Sequence, residues 1–349
     1  MIHTAELIST ITRQEYQVLQ EQENKDFYNG KLHIYTLANY GITEIQALKI
    51  PYDENNYSHW CILRINLKRI ANNGQATTSL YYCTEEEKEN LTRNFERFMS
   101  TLLPQRANLS QWIVRRIDYT IDIKTPYVKE YITLLQRGNK PPYSHIDNDK
   151  QHKREDKKTH FKGGVRYKNK SITVNIYDKY RERQSEENIY NAHLLESCRD
   201  ILRIEIQCFK EKVRYIKQRK CIPHKTIYPY LRKEIAFKTI YENLKHIAGN
   251  GDYYSYKQAL REANSKNLHL ETKKKIEGLL FYINREYKSV WKLKSEWDER
   301  EFKTITSKLR ELNINPVTIP RSYKIKKLPN ILSLLQENST DRHPIIGVK

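Results

Sequence analysis

The sequence predicts an α+β fold, in which a mostly antiparallel sheet is followed by a mainly helical C-terminal region. Three observations carry that prediction. Segments 112–123, 171–179 and 201–209 alternate apolar and polar side chains, the period-two pattern of strands with one buried face. A capped helical pattern stands before them, at 84–102. Beyond Pro223 the apolar spacing changes to three and four residues, the period of amphipathic helices.

In the first hundred residues, 32–37 and 60–67 read as strands, and 78–83 as a third. A helix follows, because Thr84 is a favourable N-cap and Glu87, three residues later, completes a capping box. Its apolar face runs through Leu91, Phe95, Phe98, Met99 and Leu102 and stops before Pro104. The clearest strand, 112–123, is followed by Thr125-Pro126, a cap with proline at the first helical position. Residues 138–164 contain Pro141-Pro142, many charges and no hydrophobic periodicity, which predicts a mobile basic loop within the sheet domain. A helix over 186–198 separates the last two strands. Then Phe237, Ile240, Tyr241, Leu244 and Ile247 mark one amphipathic helix. Ile276, Leu279, Leu280, Ile283, Tyr287 and Val290 mark another. A last helix starts at Asp298 with Glu301 as its capping-box partner. It carries Phe302, Ile305, Leu309 and Leu312, and ends at Asn315-Pro316. The change of period sets a domain boundary at residue 222, giving domains 1–222 and 223–349.

Charge narrows the partners. The 349 residues include 62 Lys+Arg against 42 Asp+Glu, a formal net charge of +20. Such an excess suits a polyanion, since each neutralised phosphate releases condensed counterions. No apolar run is long enough to span a bilayer, and the first residues lack the basic-then-apolar order of a signal peptide. Cys61, Cys83, Cys198, Cys208 and Cys221 form no CxxC pair and read as reduced thiols. Together these predict a cytoplasmic protein that handles nucleic acid and uses no membrane. The 26 tyrosines against 8 phenylalanines would suit base stacking. An AT-rich genome gives the same bias, so tyrosine abundance decides nothing.

The chemistry sits on the polar faces of the three strands. Arg116, Asp118, Thr120 and Asp122 share one face of the first, opposite Ile117, Tyr119, Ile121 and Ile123. Thr173, Asn175, Tyr177 and Lys179 share a face of the second, and Arg203, Glu205 and Gln207 one of the third. A half-exposed sheet whose polar side meets water accounts for any one strand. The residue choice argues further. Asp118, Asp122 and Glu205 on one surface repel one another unless a cation lies between them, and Mg²⁺ or Mn²⁺ suits a few carboxylates plus water and substrate phosphate. Tyr177 beside them could then attack a polarised phosphodiester as a phenolate.

Three blocks, Arg116-Ile-Asp-Tyr-Thr-Ile-Asp, Thr173-Val-Asn-Ile-Tyr-Asp-Lys and Leu202-Arg-Ile-Glu-Ile-Gln, resemble those of the gene II/X family of phage and plasmid rolling-circle replication initiators. Their order and rough spacing match, as does the C-terminal stretch beginning at Phe302. The likeness covers about residues 110–320. The resemblance implies Tyr177 as nucleophile, Asp118 and Glu205 as metal-binding acids, and Arg116 and Arg203 as their supports. It leaves Lys179 to stabilise the phenolate or the pentavalent phosphorus. Asp122 fits the RxDxxxD form of related plasmid initiators that lack a two-histidine metal motif, and would be a third ligand. No His-hydrophobic-His triplet occurs here, and His145, His152 and His160 lie at irregular spacing in the polar loop. On a continuing strand Tyr180 points away from Tyr177; a helix starting there would leave it open as a second nucleophile.

The function this implies is nicking and rejoining one DNA strand in rolling-circle replication, through a 5′-phosphotyrosyl intermediate. Its partners would be a double-stranded origin, a single-stranded nick site, and host helicase and polymerase. A conjugative relaxase with the same chemistry and a non-enzymatic DNA-binding regulator are the alternatives. The basic run from Lys150 to Lys158, with Lys162, Arg166, Lys168 and Lys170, is either a solvated loop or a clamp for the displaced strand. The 302–312 helix, with Lys303, Lys308 and Arg310 outside its apolar stripe, is the expected reader of the double-stranded origin.

Overall fold

The computed structural model describes residues 1–28, 31–32, 35–53, 56–75, 77–146, 163–184 and 192–340. In chain order the elements begin with β1 (Ile2–Ile11), α1 (Arg13–Asp26), β2 (Phe27–Tyr28), β3 (Lys31–Leu32), α2 (Tyr35–Tyr40), β4 (Ile42–Pro51), β5 (Tyr57–Asn66), α3 (Leu67–Ala71) and α4 (Glu85–Leu102). Next come β6 (Ile113–Lys124), α5 (Val128–Arg137), β7 (His145–Ile146), β8 (Gly164–Lys168), β9 (Ile172–Asp178), α6 (Lys179–Gln184), α7 (Ala192–Glu196), β10 (Ile201–Cys208) and α8 (Lys210–Arg219). The remainder is α9 (Lys233–Ala248), β11 (Tyr253–Tyr254), α10 (Tyr256–Asn264), α11 (Leu270–Phe281), α12 (Val290–Lys294), α13 (Glu299–Glu311), β12 (Lys327–Leu328) and α14 (Ile331–Thr340). The fold is α+β, with a large antiparallel sheet.

The chain forms two compact units. One holds Met1–Ile121, Lys170–Thr173 and Glu205–Ile240; the other holds Asp122–Asn169, Val174–Ile204 and Tyr241–Lys349. This division differs from a single boundary at 222, because β6, β9, β10 and α9 each contribute to both units. The segment after Pro223 is claimed by the first unit through backbone pairing. Val114 N donates to Lys225 O at 2.9 Å, Ile113 bridges Thr226, and Tyr119 Oη donates to Tyr230 O at 3.2 Å.

In the first unit the strand order is β2-β3-β4-β5-β1-β6-β10. Alternation sets the register of its centre. Ala5 stands opposite Ile65 of β5 and Ile117 of β6, and Leu7 opposite Leu63, all five fully buried. On the other parity Glu6 faces Arg64 and Arg116, so charges line up where apolar residues do not. The capping box of α4 forms as expected: Thr84 Oγ1 accepts from Glu87 N, and Glu87 Oε2 accepts from Thr84 N. Leu91, Phe95, Phe98 and Met99 are its buried face, and Phe95 meets Trp112 edge-on at 6.2 Å.

In the second unit β6-β10-β9-β8-β7 are in order, and β11 pairs with β12. Its helical part buries Ile276, Leu279, Leu280 and Ile283 together with Phe302, Ile305 and Leu309. The turn after α9 is tied by Asn315 Nδ2, which donates to Ala248 O at 2.8 Å. Gly251 there has φ +82°, and a Cβ would stand 2.6 Å from Ile314 C, so only glycine fits.

Several expectations are corrected. The strand over 32–37 is limited to Lys31–Leu32, and α2 begins at Tyr35. At 78–83 only Tyr81 pairs, as an isolated bridge to Ile2, which leaves the edge free for the turn into α4. The helix after Thr125-Pro126 starts two residues later; Thr125 Oγ1 accepts from Tyr127 N instead of capping an earlier turn. The 276–290 helix is broken by a π-helical turn at Tyr282–Glu286 and by Lys288 at φ +54°. Asp298 caps α13, but Glu301 does not close the box, because its carboxylate takes Trp297 Nε1 and Lys275. Within the expected loop 138–164, β7 pairs with β8, while 147–162, with His152, His160, Lys162 and the 150–158 run, lies outside the described residues. Of the expected helix over 186–198, residues 192–198 are described; Ala192–Glu196 is helical and 197–198 are in a turn. All five cysteines are free thiols, and among the described residues no helix is long and apolar enough to cross a membrane.

The capping box gives a stability test. Thr84→Ala removes the side chain that satisfies Glu87 N and should cost about 1 kcal/mol. Urea unfolding followed by circular dichroism measures it, and an unchanged midpoint would contradict the role given to the cap.

Candidate active site

The polar strand faces are buried rather than solvated. Asp118, Thr120, Thr173, Lys179, Arg203 and Glu205 are all under a tenth exposed. Ionised groups survive burial only when partnered, so each partner is informative.

In the first unit the centre is acidic. Strand alternation puts Arg116 and Asp118 on one face of β6, and the Arg116 fork closes on the carboxylate, Nε to Oδ1 and Nη2 to Oδ2, both at 2.7 Å. Glu205, buried on β10, accepts from Gln207 Nε2. Burial, followed by the charge of Glu205, pushes Asp118 up to about 7 even though Arg116 and Arg64 pull it down. Burial pulls Arg116 the other way, but Asp118, Glu205 and Glu6 hold it above its ordinary value. Behind the fork runs a row of pairs: Glu44 with Arg64, Arg64 with Glu6 at 3.3 Å, and Glu6 with Arg115 at 3.4 Å. Two further groups stand out. The hydroxyls of Thr120 and Thr173 are buried, and neither has a hydrogen-bond partner.

In the second unit the centre is cationic and carries the tyrosine. Arg203 is fully buried, and its Nε and Nη2 bind the two oxygens of Asp122 at 2.6 and 2.7 Å. Burial opposes its charge, but Asp122 and then Tyr177 hold the guanidinium above its ordinary value. Tyr177 is half-buried at the end of β9. Lys179 is the first residue of α6 and not a continuation of the strand, a correction to the expected shared face. Its ammonium is nevertheless buried, 6.0 Å from the Tyr177 ring centroid and 2.6 Å from Glu182 Oε2. Burial, then the charge of Arg203, lowers the Lys179 pKa. With a helix starting at Lys179, Tyr180 leaves the strand; it lies under Arg199, 4.7 Å from ring centroid to guanidinium, which also donates to its hydroxyl.

No protein-family model, curated protein or solved structure matches this chain.

Chemically, the first unit offers paired carboxylates and the second a tyrosine among buried cations. The donors of the first unit suit a hard divalent cation. Asp118 and Glu205 are carboxylates of the kind that hold such an ion, and the charge of Glu205 raises Asp118 after burial does; the same unit also has two buried hydroxyls without partners, Thr120 and Thr173. Among the described residues no group of three His, Cys, Asp or Glu gathers as a metal cluster. Asp122, expected as a third ligand, has both oxygens in the Arg203 fork, as Asp118 has both in the Arg116 fork, and His145 is in β7. The sequence reading missed Glu6, Arg64 and Glu182. Glu6 was legible, as the one acid inside an otherwise alternating strand; Glu182 was not, because a strand was expected to run through Lys179.

A pH dependence follows from Asp118. Its folded value near 7 lies above the ordinary 3.8. Its contribution to stability is therefore complete below about pH 4 and is lost as pH rises through about 7. In EDTA, Asp118→Asn should flatten this fall, which is on the order of a few kcal/mol, in urea unfolding from about pH 4 to 8. Identical profiles for the two proteins would contradict the assignment.

Proposed function

We propose that this protein initiates rolling-circle replication by nicking one DNA strand with Tyr177 and later rejoining it. The observation that carries the reading is a half-buried tyrosine beside two fully buried cations, Arg203 and Lys179. Cations held out of water are strong electrostatic partners for an anion that forms late, such as a phenolate or a pentavalent phosphorane. A tyrosine needed only for packing has no use for them.

In the reaction Tyr177 Oη attacks the scissile phosphorus. The new Oη–P bond forms as the P–O3′ bond breaks; the phenol loses its proton and the departing 3′ oxygen gains one. The products are a 5′-phosphotyrosyl strand and a free 3′-hydroxyl, and rejoining is the reverse. Lys179 and Arg203 stabilise the phenolate and the equatorial oxygens, and Asp122 keeps Arg203 aimed. Asp118 and Glu205 are the residues that would hold Mg²⁺ or Mn²⁺, with Arg116 positioning Asp118. Such an ion, when bound, supplies positive charge that polarises the phosphodiester. A double-stranded origin, a single-stranded nick site, and host helicase and polymerase in the cytoplasm complete the proposal, and the net charge of +20 supports a nucleic-acid partner.

Incubation with origin-bearing supercoiled plasmid and Mn²⁺ should give open circles with protein on the 5′ end. Tyr177→Phe should lower nicking by on the order of 10³-fold or more while origin binding stays within about twofold. Cleavage by the Phe variant without an adduct would mean water is the nucleophile and would overturn the proposal. Asp118→Asn and Glu205→Gln should each remove most of the activity, with a smaller loss at Asp122→Asn. Nicking that survives EDTA would sink the divalent-ion part.

A further inference from the structure

Helix α8 is the most basic segment among the described residues outside the polar strand faces. Residues 210–220 hold six cations, Lys210, Lys212, Arg214, Lys217, Arg219 and Lys220, and a single acid, Glu211. Among the described residues none of the six is in an ion pair. Lys210, Arg214 and Lys217 follow i, i+4, i+7 spacing and so form one stripe along the helix. Beside it Tyr215 is 43% exposed, its ring flanked by Lys212 Nζ at 4.8 Å and the Arg219 guanidinium at 5.7 Å. The opposite side is spent on the protein's own core, with Val213 and Ile216 buried. The expected reader, α13, is different. Lys303 is paired with Glu299 at 2.7 Å and Lys308 with Glu311 at 2.8 Å, and Arg310 donates to Ser307. Its cations are already answered on their own helix.

We infer that α8 is the docking surface for single-stranded nucleic acid, its cation stripe tracking the phosphates and Tyr215 stacking a base. The inference deepens the nicking proposal by naming the strand-binding element. An aromatic ring held between cations is the arrangement that takes a base and its phosphates together. A bilayer would need an exposed apolar face, and Val213 and Ile216 are not available for one.

The test is fluorescence anisotropy of the full chain with an oligothymidylate over about 50 to 200 mM salt. The triple variant Lys210→Gln, Arg214→Gln, Lys217→Gln should weaken binding at least tenfold and reduce the log–log salt slope by about 2, since each single-strand phosphate contact contributes about 0.7. Tyr215→Ala should lose about tenfold with the slope unchanged, and Tyr215→Phe should keep parental affinity. Lys210, Arg214 and Tyr215 are exposed and Lys217 is half-buried, so thermal midpoints should stay close to the parent's. An unchanged slope in the triple variant overturns the inference, as does a loss of slope on neutralising Lys303, Lys308 and Arg310 instead. Tighter binding to anionic vesicles than to the oligonucleotide, abolished by the triple variant, also overturns it in favour of a lipid surface. Normal cleavage by Tyr177→Phe would defeat the nicking reading and leave the slope result standing.

Discussion

Two guanidinium forks hold carboxylates on the polar strand faces, and the rest of the structure is arranged around them. Arg116 closes on Asp118 in the first unit and Arg203 on Asp122 in the second. Desolvating an ion costs several kcal/mol, which an ion pair recovers only with good geometry, and an apolar replacement of equal volume is commonly as stable. Folding alone therefore gives little reason to build such pairs into the middle of a sheet. Their geometry constrains the neighbours: removing one partner would strand the other's charge in the core. The Glu44–Arg64–Glu6–Arg115 row behind Asp118 extends that constraint across the first unit.

The two centres differ in what their charges surround. Around Asp118 burial, and after it the charge of Glu205, pushes the carboxyl up to about 7 against the pull of Arg116 and Arg64. Around Tyr177 stand two buried cations, each answered by an acid: Arg203 by Asp122 and Lys179 by Glu182. The orphaned hydroxyls of Thr120 and Thr173 fit the same account, because buried donors without partners are costly unless a ligand uses them.

Much of this was legible in the sequence, for identifiable reasons. Strand alternation placed Asp118, Tyr177, Arg203 and Glu205 on polar faces, and the Thr84–Glu87 box located α4 to the residue. Local patterns of this kind survive folding because they encode backbone geometry directly. What failed needed tertiary information. The pairing of 225–226 with the start of β6 moves the stretch after Pro223 into the first unit, and no local signal announces it. Lys179 lies in a tract of charged residues that suits either helix or strand, so the end of β9 was invisible. Alternation shows which residues share a face; it cannot tell whether that face is wet or buried. Three cations outside an apolar stripe likewise pointed to α13, whereas the ion pairs along it leave α8 with the more available cations.

The central claim is that the buried cations serve a phenolate at Tyr177, and a covalent product would record it. The full chain is incubated with origin-bearing DNA and Mn²⁺, the DNA is digested with nuclease, and tryptic peptides are sequenced by mass spectrometry. The account predicts a nucleoside 5′-phosphate attached to the peptide containing Tyr177, with fragment ions placing it on that residue. A nucleotide on Tyr180, or nicked DNA with no modified tyrosine, would contradict it.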